Sequence, residues 1–235
     1  MFSATEIRLT IMPKPNPQRK TRILIVDDHP LMRQGLAQLI NHEPDLIVSA
    51  EANNAAEALG LLDSAKVDLM LLDLSLPGKS GLELIKDIRA LRPDLPLLVV
   101  SMHDEALYAE RVLRAGGRGY IMKQEGGKRL MLAIRQILAG QIYVSENMSA
   151  KILELFSGRR PEAAKTLPEL LSDREFEVFH LIGQGVPTRE IAERLHLSVK
   201  TVEVHRAHIK QKLKLNSASE LVRQAIRWVE SGQPT

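Results

Sequence analysis

Short apolar runs and amphipathic stretches alternate through the first 140 or so residues. Ile23-Leu24-Ile25-Val26 is continuous and largely β-branched, the pattern of a strand buried on both faces. A helical stretch follows from Pro30 to His42, and Pro44 closes it. Strand-like runs recur near residues 46–50, 68–72, 96–101 and 119–122, and helical spacing near 54–64, 81–91, 105–115 and 126–139. Five β-α repeats predict a parallel, doubly wound, five-stranded sheet. In such a sheet, functional groups gather at the carboxyl ends of the strands.

The rhythm sets the domain plan. Residues 1–21 hold Pro13, Pro15 and Pro17 without a sustained period, and are expected to form a disordered basic tail. The sheet domain is expected over 22–142. A helical extension and linker follow over 143–167, including the small, polar run Ser157–Lys165. From 168 to 235 only helical patterns remain, which predicts an all-α domain of four helices.

Composition narrows the setting. There are no cysteines, so disulfides, thiolate metal sites and cysteine nucleophiles are excluded, in keeping with a reducing cytoplasm. No apolar run approaches the roughly 20 residues that span a bilayer, so a soluble, cytoplasmic protein without a membrane partner is expected. The net charge of +3 conceals a local concentration. Between residues 196 and 215, Lys200, Arg206, Lys210, Lys212 and Lys214 face only Glu203. A nucleic-acid footprint has this form, and so has a solvated helix face.

Chemistry collects at the predicted strand ends. Asp27-Asp28 follows the first strand, Asp73 the third, Ser101 the fourth and Lys123 the fifth. Clustered carboxylates repel one another unless a cation joins them, and oxygen-only ligands suit Mg²⁺. A carboxylate beside Mg²⁺ and a lysine is a plausible phosphoryl acceptor. Taken singly, an Asp-Asp pair is an N-cap, Pro77-Gly78 a turn, and a lysine after a strand a solvated charge. Together and in this order they resemble the receiver-domain signature: Asp27-Asp28, Asp73-Leu74-Ser75-Leu76-Pro77-Gly78-Lys79-Ser80-Gly81, Ser101, and Tyr120-Ile121-Met122-Lys123.

That resemblance covers residues 22 to about 140. It implies that Asp73 is phosphorylated by a sensor histidine kinase. It implies that Asp28 ligates Mg²⁺ directly, with Asp27 beside it or acting through water, and that Asp73 and the Ser75 carbonyl complete the protein's share. Ser101 would hydrogen-bond the phosphoryl group, Lys123 would pair with it, and Tyr120 would change rotamer on activation. Ser75 and His103 stand where the family is thought to set the lifetime of the phosphoryl group, and Met102 is bulkier than the small residue many receivers carry there. An aspartyl-phosphate phosphohydrolase would want a second aspartate two residues after Asp73, where this chain has Ser75. Turnover of external substrates is therefore not expected.

In the helical part, Ser172-Asp173-Arg174-Glu175 reads as a capping box, and Gly183 and Gly185 stop the helix it opens. A second helix spans Thr188–Leu195, His196-Leu197 turns, and Ser198 caps a third helix running to about Leu213. Two helices on a turn of about three residues predict helix-turn-helix geometry. Ser172-x-Arg174-Glu175, Gly183-x-Gly185, Glu190-Ile191-Ala192-x-x-Leu195, Ser198-x-x-Thr201-Val202-x-x-His205 and Lys212-Leu213 resemble the NarL/FixJ, or LuxR-type, DNA-binding domain.

The implied contacts to DNA are Thr188, Arg189, Lys200, Thr201, Glu203, Val204, Arg206, Ala207, Lys210 and Lys212. Glu203 and Ala207 replace lysines of many members. This departure keeps a second reading open, a protein-binding adaptor without DNA contact. The final helix, with Leu221, Val222, Ala225 and Val229, is expected either at a dimer contact or in the domain core. Activation is expected to release the third helix from the receiver or to dimerise the protein on inverted half-sites. His205 and His208 lack a third ligand, so no metal site is expected there.

Overall fold

The computed structural model describes residues 19–150 and 170–231. Most of the expected tail and the Ser157–Lys165 linker lie outside these residues. The first unit contains β1 (Thr21–Val26), α1 (Pro30–His42), β2 (Leu46–Ala52), α2 (Ala55–Ser64), β3 (Leu69–Leu72), α3 (Gly81–Leu91), β4 (Leu97–Ser101), α4 (Glu105–Ala115), β5 (Gly119–Met122) and α5 (Gly126–Leu138). The five strands are all parallel in the order β2-β1-β3-β4-β5. The expected five-stranded doubly wound sheet is present.

Alternation along the inner strands divides the core, because successive strand side chains point to opposite faces. Ile23, Ile25, Leu69, Leu71, Leu98 and Val100 pack with Leu36 and Ile40 of α1 and with Leu130, Ile134 and Ile137 of α5. Leu24, Val26, Met70, Leu72, Leu97 and Val99 face the other way, onto α2, α3 and α4. The edge strand β2 behaves differently: only its ends, Leu46 and Ala52, are buried, while Ile47 is exposed. A register shift between Ile23 and Leu24 skips Ser49, and β2 ends two residues beyond the predicted end.

The second unit contains α6 (Asp173–Gly183), α7 (Thr188–Arg194), α8 (Val199–Lys212) and α9 (Ala218–Ser231). Ser172 and Glu175 form the expected capping box. The two glycines after it have separate tasks. Gly185 takes a positive φ of +77° past the helix end, whereas Gly183 is the last helical residue and lets α9 approach. Leu221 and Ala225 of α9 are fully buried and Trp228 nearly so, which places them in the intradomain core and not at a dimer contact.

The two units share one apolar cluster, which runs from Tyr108 of α4 to Phe176 of α6. Their rings meet edge to face with centroids 5.4 Å apart, and the Arg111 guanidinium lies 4.2 Å over the Phe176 ring. Asp173 is held by Lys86 of α3 at 2.6 Å and Arg111 of α4 at 2.8 Å. Among the described residues no helix is long and apolar enough to cross a membrane.

Candidate functional sites

Sheet register assembles the acidic pocket. Val26 of β1 stands opposite Leu72 of β3, so the residues that follow, Asp27 and Asp73, emerge side by side. This is the crevice where the strand order reverses, the usual ligand position in such sheets. The Asp73 N–H donates to the Val26 carbonyl at 2.8 Å and fixes the start of the loop. Across β4 and β5, Ser101 stands opposite Met122, so Lys123 follows one residue beyond. Gly81 completes the frame. A Cβ there would lie 2.4 Å from the Asp73 carbonyl oxygen, so α3 can begin against this segment only because that side chain is missing.

Lys123 Nζ lies 2.6 Å from Asp27 Oδ2 and 2.7 Å from Asp73 Oδ2, and none of the three side chains is more than 3% exposed. Burial pushes the Asp73 carboxyl above the usual carboxylate range; Lys123 opposes that rise and Asp27 adds to it. Burial also works against the charge on Lys123, but the two carboxylates outweigh it and hold the ammonium above its ordinary range. Asp73 Oδ1 receives only a long hydrogen bond, 3.3 Å, from the Ser75 N–H.

Asp28 sits at the mouth of the pocket. Its Oδ1 is buried without a hydrogen bond, although His29 Nδ1 is 2.6 Å away. One ligand atom from each of Asp27, Asp28, His29 and Asp73 lies within 4.8 Å of the others. An unsatisfied carboxylate oxygen among hard oxygen donors fits a small divalent cation such as Mg²⁺. His29 was not among the expected ligands. Its signal was its place directly after Asp27-Asp28, at the same strand end.

On the opposite wall, Ser101 is fully buried and its Oγ accepts from the His103 N–H at 3.4 Å. Tyr120 is also fully buried, and its hydroxyl donates to the His103 carbonyl at 2.8 Å. His103 Nε2 lies 3.0 Å from Ser75 Oγ, so the two positions expected to govern lifetime join above the pocket. The His103 ring stacks on Tyr108 with centroids 4.7 Å apart, and burial lowers its pKa. A chain of contacts thus leads from the pocket through α4 to Phe176.

In the helical unit, residues 195–198 turn between α7 and α8, and His196 takes a positive φ of +53° there. Ile191, Ala192, Leu195, Val202 and Ile209 are buried and lock the two helices together. On α8, Lys200, Glu203, Val204 and Ala207 are exposed, and Arg189 projects from α7. Other expected contacts are engaged within the domain. Arg206 donates to Thr188 Oγ1 at 3.1 Å, and Thr201 Oγ1 is 2.7 Å from Ser198 Oγ.

Lys212 is bonded to Glu175 at 2.6 Å, whereas Lys210 is half-buried with no bond of this kind described. Burial of Glu175 acts to raise its pKa, but Lys212 and the Ser172 cap lower it overall. Lys210→Ala is therefore expected to reduce the salt slope of DNA binding by about one, and Lys212→Ala by less. Equal slopes for the two variants would refute that ranking.

A doubly wound sheet with a lysine-bridged aspartate pocket, joined to a helix-turn-helix, defines a receiver coupled to a DNA-binding effector. Residues 23–135 match the response regulator receiver domain, and residues 169–225 match the bacterial regulatory proteins of the luxR family. The oxygen regulatory protein NreC of Staphylococcus aureus is 39% identical over 210 residues, covering 88% of this chain and 97% of NreC. A LuxR-family two-component response regulator from Aurantimonas sp. is 36% identical, with a TM-score of 0.55 over 59% of this chain and 99% of that one. A structure of two RcsB dimers bound to two parallel DNAs is 26% identical, with a TM-score of 0.54 over 87% of this chain and 97% of that one. The chain belongs to the LuxR-family response regulators, which are transcription regulators.

Proposed function

We propose that Asp73 accepts a phosphoryl group, from a sensor histidine kinase or a small phosphodonor, and that this modification controls binding of α8 to promoter DNA in the cytoplasm. The bridge from Lys123 to Asp27 and Asp73 carries this reading. An Asp73 oxygen attacks phosphorus, the bond to the donor breaks, and the donor leaves with its electron pair. Asp27, Asp28, Asp73 and the Ser75 carbonyl would hold Mg²⁺, which when bound supplies positive charge to the transferring oxygens. Lys123 then pairs with the phosphoryl oxygens in place of the carboxylate, and the Ser101 hydroxyl donates to them. That draws on the Ser101–His103–Tyr120 contacts and moves Tyr120 and α4 together.

Ser75 stands where a phosphohydrolase would carry its second aspartate, and its hydroxyl is bonded to His103. The pocket reads as an acceptor without turnover of external substrates. On the DNA side, Thr188, Arg189, Lys200, Thr201, Arg206, Lys210 and Lys212 would contact phosphates, and Glu203, Val204 and Ala207 would face base edges. Docking on the receiver leaves Lys200, Glu203, Val204 and Ala207 exposed. That favours activation by pairing two protomers on inverted half-sites over simple uncovering of α8, and the RcsB structure, with dimers bound to DNA, supports pairing. Phosphorylated protein is expected to retard promoter fragments at lower concentration than unmodified protein. Equal retardation by both forms would remove phosphorylation from control of DNA binding, and none by either would favour the adaptor reading.

A further inference from the structure

The turn of the helix-turn-helix reaches the mouth of the acidic pocket. His196 Nε2 lies 3.3 Å from Asp28 Oδ2, although 168 residues separate them in sequence. The approach is built into the backbone, because His196 holds a positive φ of +53° immediately after the α7 end. Arg174 fixes that turn over the pocket. Its Nη2 donates at 3.2 Å both to the Leu195 carbonyl, in the turn, and to the Gly78 carbonyl, in the loop that follows Asp73. Its Nη1 is bonded to the buried Glu177 at 2.7 Å. The same arginine therefore grips the effector's turn and the receiver's loop.

Asp28 thus has an imidazole on each oxygen. His29 lies beside Oδ1 and is largely exposed, free to swing on its own side chain. His196 lies beside Oδ2 and is carried by another domain, so its removal from Asp28 requires the domain to move or the turn to yield. Lys123 already compensates Asp27 and Asp73 from inside the pocket. In the docked arrangement the effector stands at the one carboxylate that Lys123 does not reach.

We propose that His196 gates the metal end of the acceptor pocket, so that docking of the helix-turn-helix and binding of a divalent cation at Asp28 oppose each other. This rests on the reading of Asp27, Asp28 and Asp73 as the Mg²⁺ site. Coupling between two binding events is reciprocal: what docking takes from cation affinity, the cation takes from docking. The apparent dissociation constant rises as the undocked fraction falls, so a chain docked nine parts in ten binds Mg²⁺ about tenfold more weakly than an undocked one. The effector is thereby a brake on phosphorylation of its own receiver, acting before any phosphoryl group arrives.

Mg²⁺ titration of the full chain by calorimetry tests the gate, using wild type, His196→Asn and Asp28→Asn. Asparagine tolerates the left-handed backbone region but is too short to keep the contact, so the turn is preserved while the contact is lost. A urea midpoint for His196→Asn checks that the domain still folds. His196→Asn is expected to bind Mg²⁺ about three- to tenfold more tightly than wild type, and Asp28→Asn far more weakly. The chain has no cysteines, so labels on Leu91→Cys and Arg223→Cys report the interdomain distance cleanly. That distance is expected to lengthen on adding Mg²⁺ to wild type, and to respond less to Mg²⁺ in His196→Asn. Wild-type Mg²⁺ affinity in His196→Asn, with affinity lost in Asp28→Asn, would overturn the gate and leave the metal site standing. Wild-type affinity in Asp28→Asn would overturn the metal site, and the gate with it.

Discussion

Replacing Asp73 by asparagine should reduce Mg²⁺-dependent labelling by acetyl phosphate to background while leaving the protein folded. No neighbouring carboxylate is placed to take over. Asp27 has both oxygens engaged, one by the His29 N–H at 2.8 Å and the other by Lys123 at 2.6 Å. Asp28 keeps an unbonded Oδ1, but Lys123 pairs with Asp27 and Asp73 and does not reach it. Only Asp73 presents an oxygen with a single long hydrogen bond, alongside a lysine able to follow the developing charge. Stability should not fall. An acid whose folded pKa is raised, as burial raises that of Asp73, is destabilised by its own ionisation at neutral pH, and the neutral amide removes that cost. Wild-type labelling in Asp73→Asn would place the acceptor elsewhere. Lost labelling together with a collapsed unfolding midpoint would make the loss uninformative about chemistry, which is why both are measured on the same preparation.

Gly183→Ala should destabilise the helical domain by about 3 kcal/mol, at the upper end of ordinary overpacking costs. The added Cβ would lie 2.4 Å from the Ala225 carbonyl oxygen and 2.5 Å from a Val229 methyl carbon. The first of these is backbone in a helix, so no rotamer change relieves it and α6 and α9 must part. Trp228, the only tryptophan, packs edge-on to Phe176 with centroids 5.4 Å apart and makes urea unfolding of this region visible by fluorescence. DNA binding should fall in parallel, while phosphorylation of the receiver persists. Gly185→Ala should behave differently. Its Cβ enters open space, and only the positive φ penalises it, by about 1–2 kcal/mol. A wild-type midpoint for Gly183→Ala would mean that the helices cross less closely than described.

Much of this is legible in the sequence alone. Strands buried on both faces announce themselves as unbroken apolar runs, and Asp27, Asp73 and Lys123 declare their grouping by closing such runs. The capping box at Ser172 reads correctly because its chemistry is local. Other features depend on partners that a sequence does not name. Helical periodicity shows that Leu221 and Ala225 are buried but not against what, so it leaves dimer contact and domain core equal, whereas in the fold α6 packs on this helix. Gly183 and Gly185 look alike as helix stops, yet one answers to a backbone torsion and the other to a crossing helix. Lys212 belongs to a basic stripe in the sequence and to Glu175 in space. The β2 edge runs past its predicted end because it pairs along the whole of β1, and a register slip, which leaves no mark in hydrophobicity, adds one residue more.

The seam between Phe176 and Tyr108 is expected to respond to temperature. Apolar burial of this kind weakens on cooling. The desolvation that opposes the Asp173 pairs with Lys86 and Arg111 grows on cooling too. Both contributions loosen the docked arrangement in the same direction, so the interdomain distance is expected to lengthen on cooling.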